Sequence, residues 1–209
     1  MSIGTGSPFR TVFCFSLGLM CSVFILTAAP AAVADEFREG EMAAHDGNYE
    51  AALRAWLPLA RDGHVKAQYA VGALFAEGRG TTLDLSTAFD WWLQAAEQSH
   101  VRAQFNVAAM YKNGMGVGRN EVEAARWISA AANQGDRDSQ VQLSQFYRDG
   151  FGVSQNPVTA YMWLEIARLG GHPSIANALK VSASLLSEEQ IIEAQKRAVS
   201  WLERKGADQ

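Results

Sequence analysis

The sequence predicts an all-α fold, a right-handed solenoid of about four to five stacked helical hairpins. Three observations carry that prediction. A 36-residue period runs through most of the chain. Each period holds two apolar stretches at helical spacing. The Gly, Asp and Asn residues suited to ending and starting helices recur in phase with those stretches. The period shows in Gly63, Ser99, Gly135 and Gly171; in Ala67, Ala103 and Ser139; and in Val71, Val107 and Leu143. It continues in Phe75, Tyr111 and Tyr147, in Trp91, Trp127 and Trp163, and in Ala95, Ala131 and Ala167.

Composition narrows the function. The 209 residues are 48% hydrophobic and 19% charged, which excludes a disordered chain. A net charge of −4 provides no broad attraction for nucleic acid.

In chain order, residues 1–34 contain one charge, Arg10, followed by an apolar run from Thr11 to Ala29 and then by Ala32-Val33-Ala34 ahead of Asp35. A basic residue, an apolar run and a small-residue site together read as a secretory signal peptide cleaved between Ala34 and Asp35. The expected location is the periplasm or the medium. Membrane contact is expected only if this segment stays uncleaved as an anchor. The chain from Asp35 onward carries a net charge of −5 and no Cys, so an apolar core alone must hold it together. Its 175 residues suffice for such a core.

Residues 35–63 form an N-terminal capping hairpin, with helices from Glu36 to His45 and from Tyr49 to Arg61 about the turn Asp46-Gly47-Asn48. Pro58 is expected to bend the second helix or shift its start. The repeat units are 64–99, 100–135 and 136–171. In the first, Ala67, Val71, Gly72 and Phe75 share one helix face, and Ala88, Trp91, Trp92, Ala95 and Ala96 fall on the second stretch. The pair Gly78-x-Gly80 recurs as Gly114-x-Gly116 and Gly150-x-Gly152, its first Gly suited to a helix C-cap. Asp84, Asn120 and Asn156 are turn or capping residues ahead of the second helix. Ser99 replaces Gly63, Gly135 and Gly171 and should fit less comfortably. Small residues let two helices approach, and one large ring per helix fills the space beside them. One hairpin cannot bury that face alone, so hairpins stack. Residues 172–209 supply C-terminal capping helices, one over Ser174–Leu185. A second opens at the capping box Ser187-Glu-Glu-Gln190, with Ile191, Ile192, Ala194, Ala198, Trp201 and Leu202 as its apolar face.

These residues, at a 36-residue step, resemble the Sel1-like repeat family, related to tetratricopeptide repeats. The resemblance covers nearly all of 36–205, and unit two is the nearest match through Ala103, Val107, Ala108, Tyr111, Gly114, Gly116, Ala124 and Trp127. Unit one departs at Thr81 and unit three at Ser139 and Ser144. The resemblance implies an α/α solenoid that acts as a protein–protein adaptor, commonly in bacterial envelope or signalling complexes.

Most signs of chemistry have a structural explanation. His64, His100 and His172 are in register, with Asp136 in the remaining slot. Equivalent positions of stacked hairpins lie roughly 10 Å apart, whereas zinc ligands sit about 2 Å from one centre. Capping or turn roles are therefore expected for all four residues. No role is assigned to His45. Gly114-Met-Gly-Val-Gly118-Arg119 lacks the preceding strand and the Lys-Ser/Thr of a phosphate loop. No nucleophile elbow is present. The six Trp read as core, with Trp92 unsettled because Trp91 holds the periodic slot. No cofactor, metal or catalytic residue is expected.

One stripe on the first helix of each unit lies apart from its packing face. It comprises Lys66, Tyr69, Ala73 and Ala76; then Arg102, Phe105, Ala109 and Lys112; then Asp138, Val141, Gln145 and Arg148. By resemblance to tetratricopeptide repeats it lines the concave groove. Lys66, Tyr69, Arg102, Phe105, Lys112, Gln145 and Arg148 are the candidate partner-binding residues, a mixture suited to a peptide or helix. Periodicity alone does not distinguish this groove from packing of Tyr69 and Phe105 between repeats. The expected function is an exported, non-enzymatic adaptor or regulator binding an envelope or periplasmic protein. The alternative is a hydrolase or ligand-binding protein acting on cell-wall or β-lactam-like molecules, which needs a deep pocket with a strongly perturbed titratable group.

Overall fold

The computed structural model describes residues 30–207, so the expected leader lies outside the described residues apart from the backbone of 30–34. The described residues form ten α-helices and no strand. They are α1 (Pro30–His45), α2 (Tyr49–Arg61), α3 (Val65–Glu77), α4 (Leu85–Glu97), α5 (Val101–Asn113), α6 (Glu121–Asn133), α7 (Arg137–Asp149), α8 (Pro157–Leu169), α9 (Ala176–Ala183) and α10 (Glu188–Ala207). From α1 to α8 each helix packs on the next in sequence, as a solenoid requires. The short α9 touches α8 less extensively, and α10 returns to cover α8. No helix among the described residues is long and apolar enough to cross a membrane.

The punctuation expected from the sequence sets the helix ends. Asp84, Asn120 and Asn156 cap α4, α6 and α8 by accepting backbone N–H bonds. His64, His100 and Asp136 do the same for α3, α5 and α7. Each Asp or Asn cap contributes about 1 kcal/mol. Gly78, Gly114 and Gly150 end the first helix of each repeat in the left-handed region. Ser99 is the only non-glycine residue with positive φ among the described residues, at 66°, which is the strain expected of it. Ser187 Oγ accepts from the Gln190 N–H while Gln190 Oε1 accepts from the Ser187 N–H, a complete capping box.

Three expectations change. α2 starts at Tyr49 and runs through Pro58 to Arg61, so its start is not displaced. Pro58 lies one turn from the C-terminus, where its missing N–H removes a single helical bond. The predicted 174–185 helix is shorter, because Ile175 begins it without a side-chain cap. Ile192 is 47% exposed and does not belong to the buried face of α10. That face is made by Ala194 and Ala198, with Trp201 and Leu202 packed partly buried against the core.

The second Gly of each loop joins neighbouring hairpins. Gly80, Gly116 and Gly152 have φ of 67°, 70° and 65°. A Cβ on Gly80 would overlap the backbone of Tyr49, one on Gly116 that of Leu85, and one on Gly152 that of Glu121. Each loop thus lies directly on the first turn of the preceding hairpin's second helix. Only glycine allows that approach.

Trp56 and Trp92 also act between chain segments. Trp56 Nε1 donates to the Phe37 carbonyl and Trp92 Nε1 to the Tyr69 carbonyl, both at 3.0 Å. The Trp56 ring lies against Gly40 and the Trp92 ring against Gly72, where a Cβ has no room. One repeat further on, Gly72 and Trp92 become Ala108 and Ile128, and then Ser144 and Leu164. As the small residue grows, the large one shrinks, which keeps the summed volume near constant.

A buried glutamine row ties hairpin to hairpin. Gln68, Gln104 and Gln140 donate to the carbonyls of Ala60, Ala96 and Ala132 at 3.1, 3.1 and 3.2 Å. The side-chain oxygens of Gln68 and Gln104 accept from Gln98 and Gln134 at 2.8 and 2.7 Å. Gly170 stands in the third position of that second row. The oxygen of Gln140, a residue 2% exposed, consequently has no partner.

Candidate functional site

The stripe of α3, α5 and α7 is fixed by the caps before each helix and the Gly after it. Tyr69 and Phe105 are both partly buried, an intermediate position between core and surface. The Tyr69 ring lies tilted against His100 with centroids 4.5 Å apart and stacks on the Trp92 ring at 6.3 Å. Phe105 packs at the edge of the main core. Lys66 and Arg102 are exposed beside these rings. Lys112 is partly buried, with Nζ 5.5 Å from the centre of the Phe146 ring. Arg148 holds Asp149 through two bonds of 2.7 and 2.8 Å, which lowers the Asp149 pKa and raises that of Arg148. Asp138 faces His172 Nε2 at 3.3 Å.

The stripe changes character along its length. In the first two repeats it carries two rings and the cations Lys66 and Arg102. In the third, Val141, Gln145 and Arg148 form one wall of a pocket of about 320 Å³, closed on the other side by Asn177, Ala178 and Val181 near α9. Asn177 and Val181 stand one 36-residue step after Val141 and Gln145, but on the shorter α9, beyond the three repeats whose apolar and glycine positions recur in phase.

His64, His100 and His172 act as the sequence suggested. Nδ1 of His64 and His100 accepts the N–H of Ala67 and Ala103, each at 3.2 Å, and His172 Nδ1 accepts that of Ser174 at 3.3 Å. Burial lowers the pKa of His64 and His100, with the Lys66 cation adding to both. The other shifted groups are also structural. Asp84 is lowered by its bonds to the Thr87 backbone and hydroxyl, Glu189 is lowered by Ser187, Arg168 is raised by Glu165, and Tyr111 is raised by burial. Among the described residues, no three His, Cys, Asp or Glu side chains are grouped so as to hold a metal.

The Sel1 repeat family model matches residues 65–100, 101–136 and 137–172, together just over half of the chain. A crystal structure of a Sel1 repeat protein from Oxalobacter formigenes superposes with a TM-score of 0.69 at 24% identity, over 83% of this chain and 76% of that one. The structure of c5321, a protective antigen of uropathogenic Escherichia coli with the SLR fold, gives 0.50 at 23% identity. This match covers 82% of the present chain and 45% of c5321. No curated protein matches significantly. Sel1 repeats are generally protein–protein interaction modules and typically non-enzymatic scaffolds. With three consecutive matching repeats and the hairpin stacking described above, this chain belongs to the Sel1 repeat family.

Proposed function

We propose that the protein is an exported, non-enzymatic adaptor whose stripe on α3, α5 and α7 binds a protein of the bacterial envelope or periplasm. The observation that carries this reading is the pair of partly buried rings, Tyr69 and Phe105, beside the exposed cations Lys66 and Arg102. Rings already packed on one side lose little side-chain freedom on binding, and aromatic residues and Arg dominate interface energetics. Export is supported by Arg10, the apolar run and the Ala32-Val33-Ala34 site.

The test is crosslinking in intact cells, followed by capture through a C-terminal tag. Wild type is expected to enrich one envelope protein, and Lys66→Glu with Arg102→Glu to lose it while unfolding at an unchanged temperature. The captured chain is expected to have the mass of residues 35–209. Retention of the same partner by the double variant would overturn the stripe as the binding face. A mass that includes residues 1–34 would overturn cleavage.

A further inference from the structure

The caps of α3 and α5 differ chemically from that of α7. A histidine can accept a backbone N–H at Nδ1 only while that nitrogen is unprotonated, so the cap exists only in the neutral ring. A charged imidazolium would lose the bond and place a cation at the positive end of the helix dipole. Asp136, in the same slot of the third repeat, accepts the Ser139 N–H at 2.8 Å as a carboxylate, whose charge the dipole favours. The two histidines also meet rings on the first helix of the preceding hairpin, α1 and α3. Phe37 lies 5.1 Å from His64 and Tyr69 lies 4.5 Å from His100, centre to centre.

We propose that His64 and His100 make the first two repeats an acid-sensitive section of the solenoid, which loosens below neutral pH while the third repeat stays closed. The charges facing these rings support that behaviour. His64 shares a hollow with Arg38 and Glu41 of α1 and with Lys66 of its own helix. Of these charges, Lys66 acts against protonation. His100 meets Lys66 and Tyr69 from α3, and Arg102 follows it two residues on. The folded state therefore binds protons less readily than the unfolded chain, whose histidines titrate near 6.5. Stability from these caps is complete above pH 6.5. It is lost as pH falls from 6.5 toward the lower folded-state values. Each histidine increases the opening constant by up to about tenfold per pH unit in that window. For binding, the consequence rests on the stripe reading above: α3 and α5 carry Lys66, Tyr69, Arg102 and Phe105, so acid would dismantle that part first. The loosening itself does not depend on any partner.

Hydrogen exchange of the purified protein between pH 7.5 and 5.5 tests this directly, with protection corrected for the intrinsic pH dependence of exchange. Protection in 65–77 and 101–113 is expected to fall by up to about tenfold while 137–149 holds. In His64→Asn with His100→Asn, where the cap persists without titration, the fall is expected to vanish. Asp136→His is expected to extend it to 137–149. Undiminished protection in wild type at pH 5.5, or an equal fall in the double Asn variant, would overturn the proposal. So would NMR titration placing both histidines at or above pH 6.5, a measurement that needs no variant.

Discussion

Repeats one and two differ from repeat three in three ways, although all share the 36-residue step. The first two begin with a His cap, and the third with Asp136. The side-chain oxygens of the buried Gln68 and Gln104 each accept a bond, whereas that of Gln140 lacks a donor because Gly170 replaces Gln98 and Gln134. The stripe presents rings in the first two repeats and becomes a pocket wall beside α9 in the third. A repeat is thus defined twice, by the residues that form its helices and by those that join it to its neighbour. Repeat three keeps the former and changes the latter, where the chain departs from the array.

The joints provide the largest expected effect. Gly116→Ala should cost about 3 kcal/mol, from a strained positive φ and overlap with the Leu85 backbone. Gly118→Ala, two residues away in open space, should stay within about 0.5 kcal/mol. Denaturant unfolding of both distinguishes a joint from a mere loop glycine. Equal losses would remove the distinction between loop docking and loop strain.

A smaller effect tests the compensating pairs. Gly72→Ala should cost about 2 kcal/mol, because its Cβ would meet the Trp92 ring. Adding Trp92→Ile copies the Ala108 and Ile128 pair of the next repeat and should recover about half of that loss. An additive double variant would mean that the two positions do not exchange volume.

The smallest effect is a gain. Gly170→Gln should give repeat three the bond present in the first two, stabilising by about 1 kcal/mol and raising Tm by about 3 °C. Gly170 has ordinary helical φ and its Cβ meets nothing closer than 3.3 Å, so the side chain is admissible. Gly170→Ala is the control for lost backbone freedom. If both substitutions stabilise equally, the orphan oxygen of Gln140 is not the cause.

Local chemistry was legible where a residue type has one favourable conformation. The caps at Asp84, Asn120 and Asn156, the glycine ends at 78, 114 and 150, and the strained Ser99 all follow from such preferences. The role of Trp92 was hidden because its counterpart Trp56 pairs with Gly40, and the short Asp46-Gly47-Asn48 turn moves that glycine out of the 36-residue phase. Gln68, Gln104 and Gln140 are in phase in the sequence, yet a polar residue on a helix reads as solvated until its acceptor is known.

The sequence by itself determined the helices of the repeats, their ends, the stacking and the capping role of the histidines, because these depend on residue type and on contacts repeated along one chain. Only the tertiary structure decided which glycines carry the joints, why Gln140 is left unsatisfied, where Tyr69 and Phe105 lie between core and surface, and how α9 closes a pocket on the stripe. Those outcomes depend on the distance between segments some 20 to 40 residues apart. Side-chain volume and hydrogen-bond geometry set that distance only after the hairpins have packed.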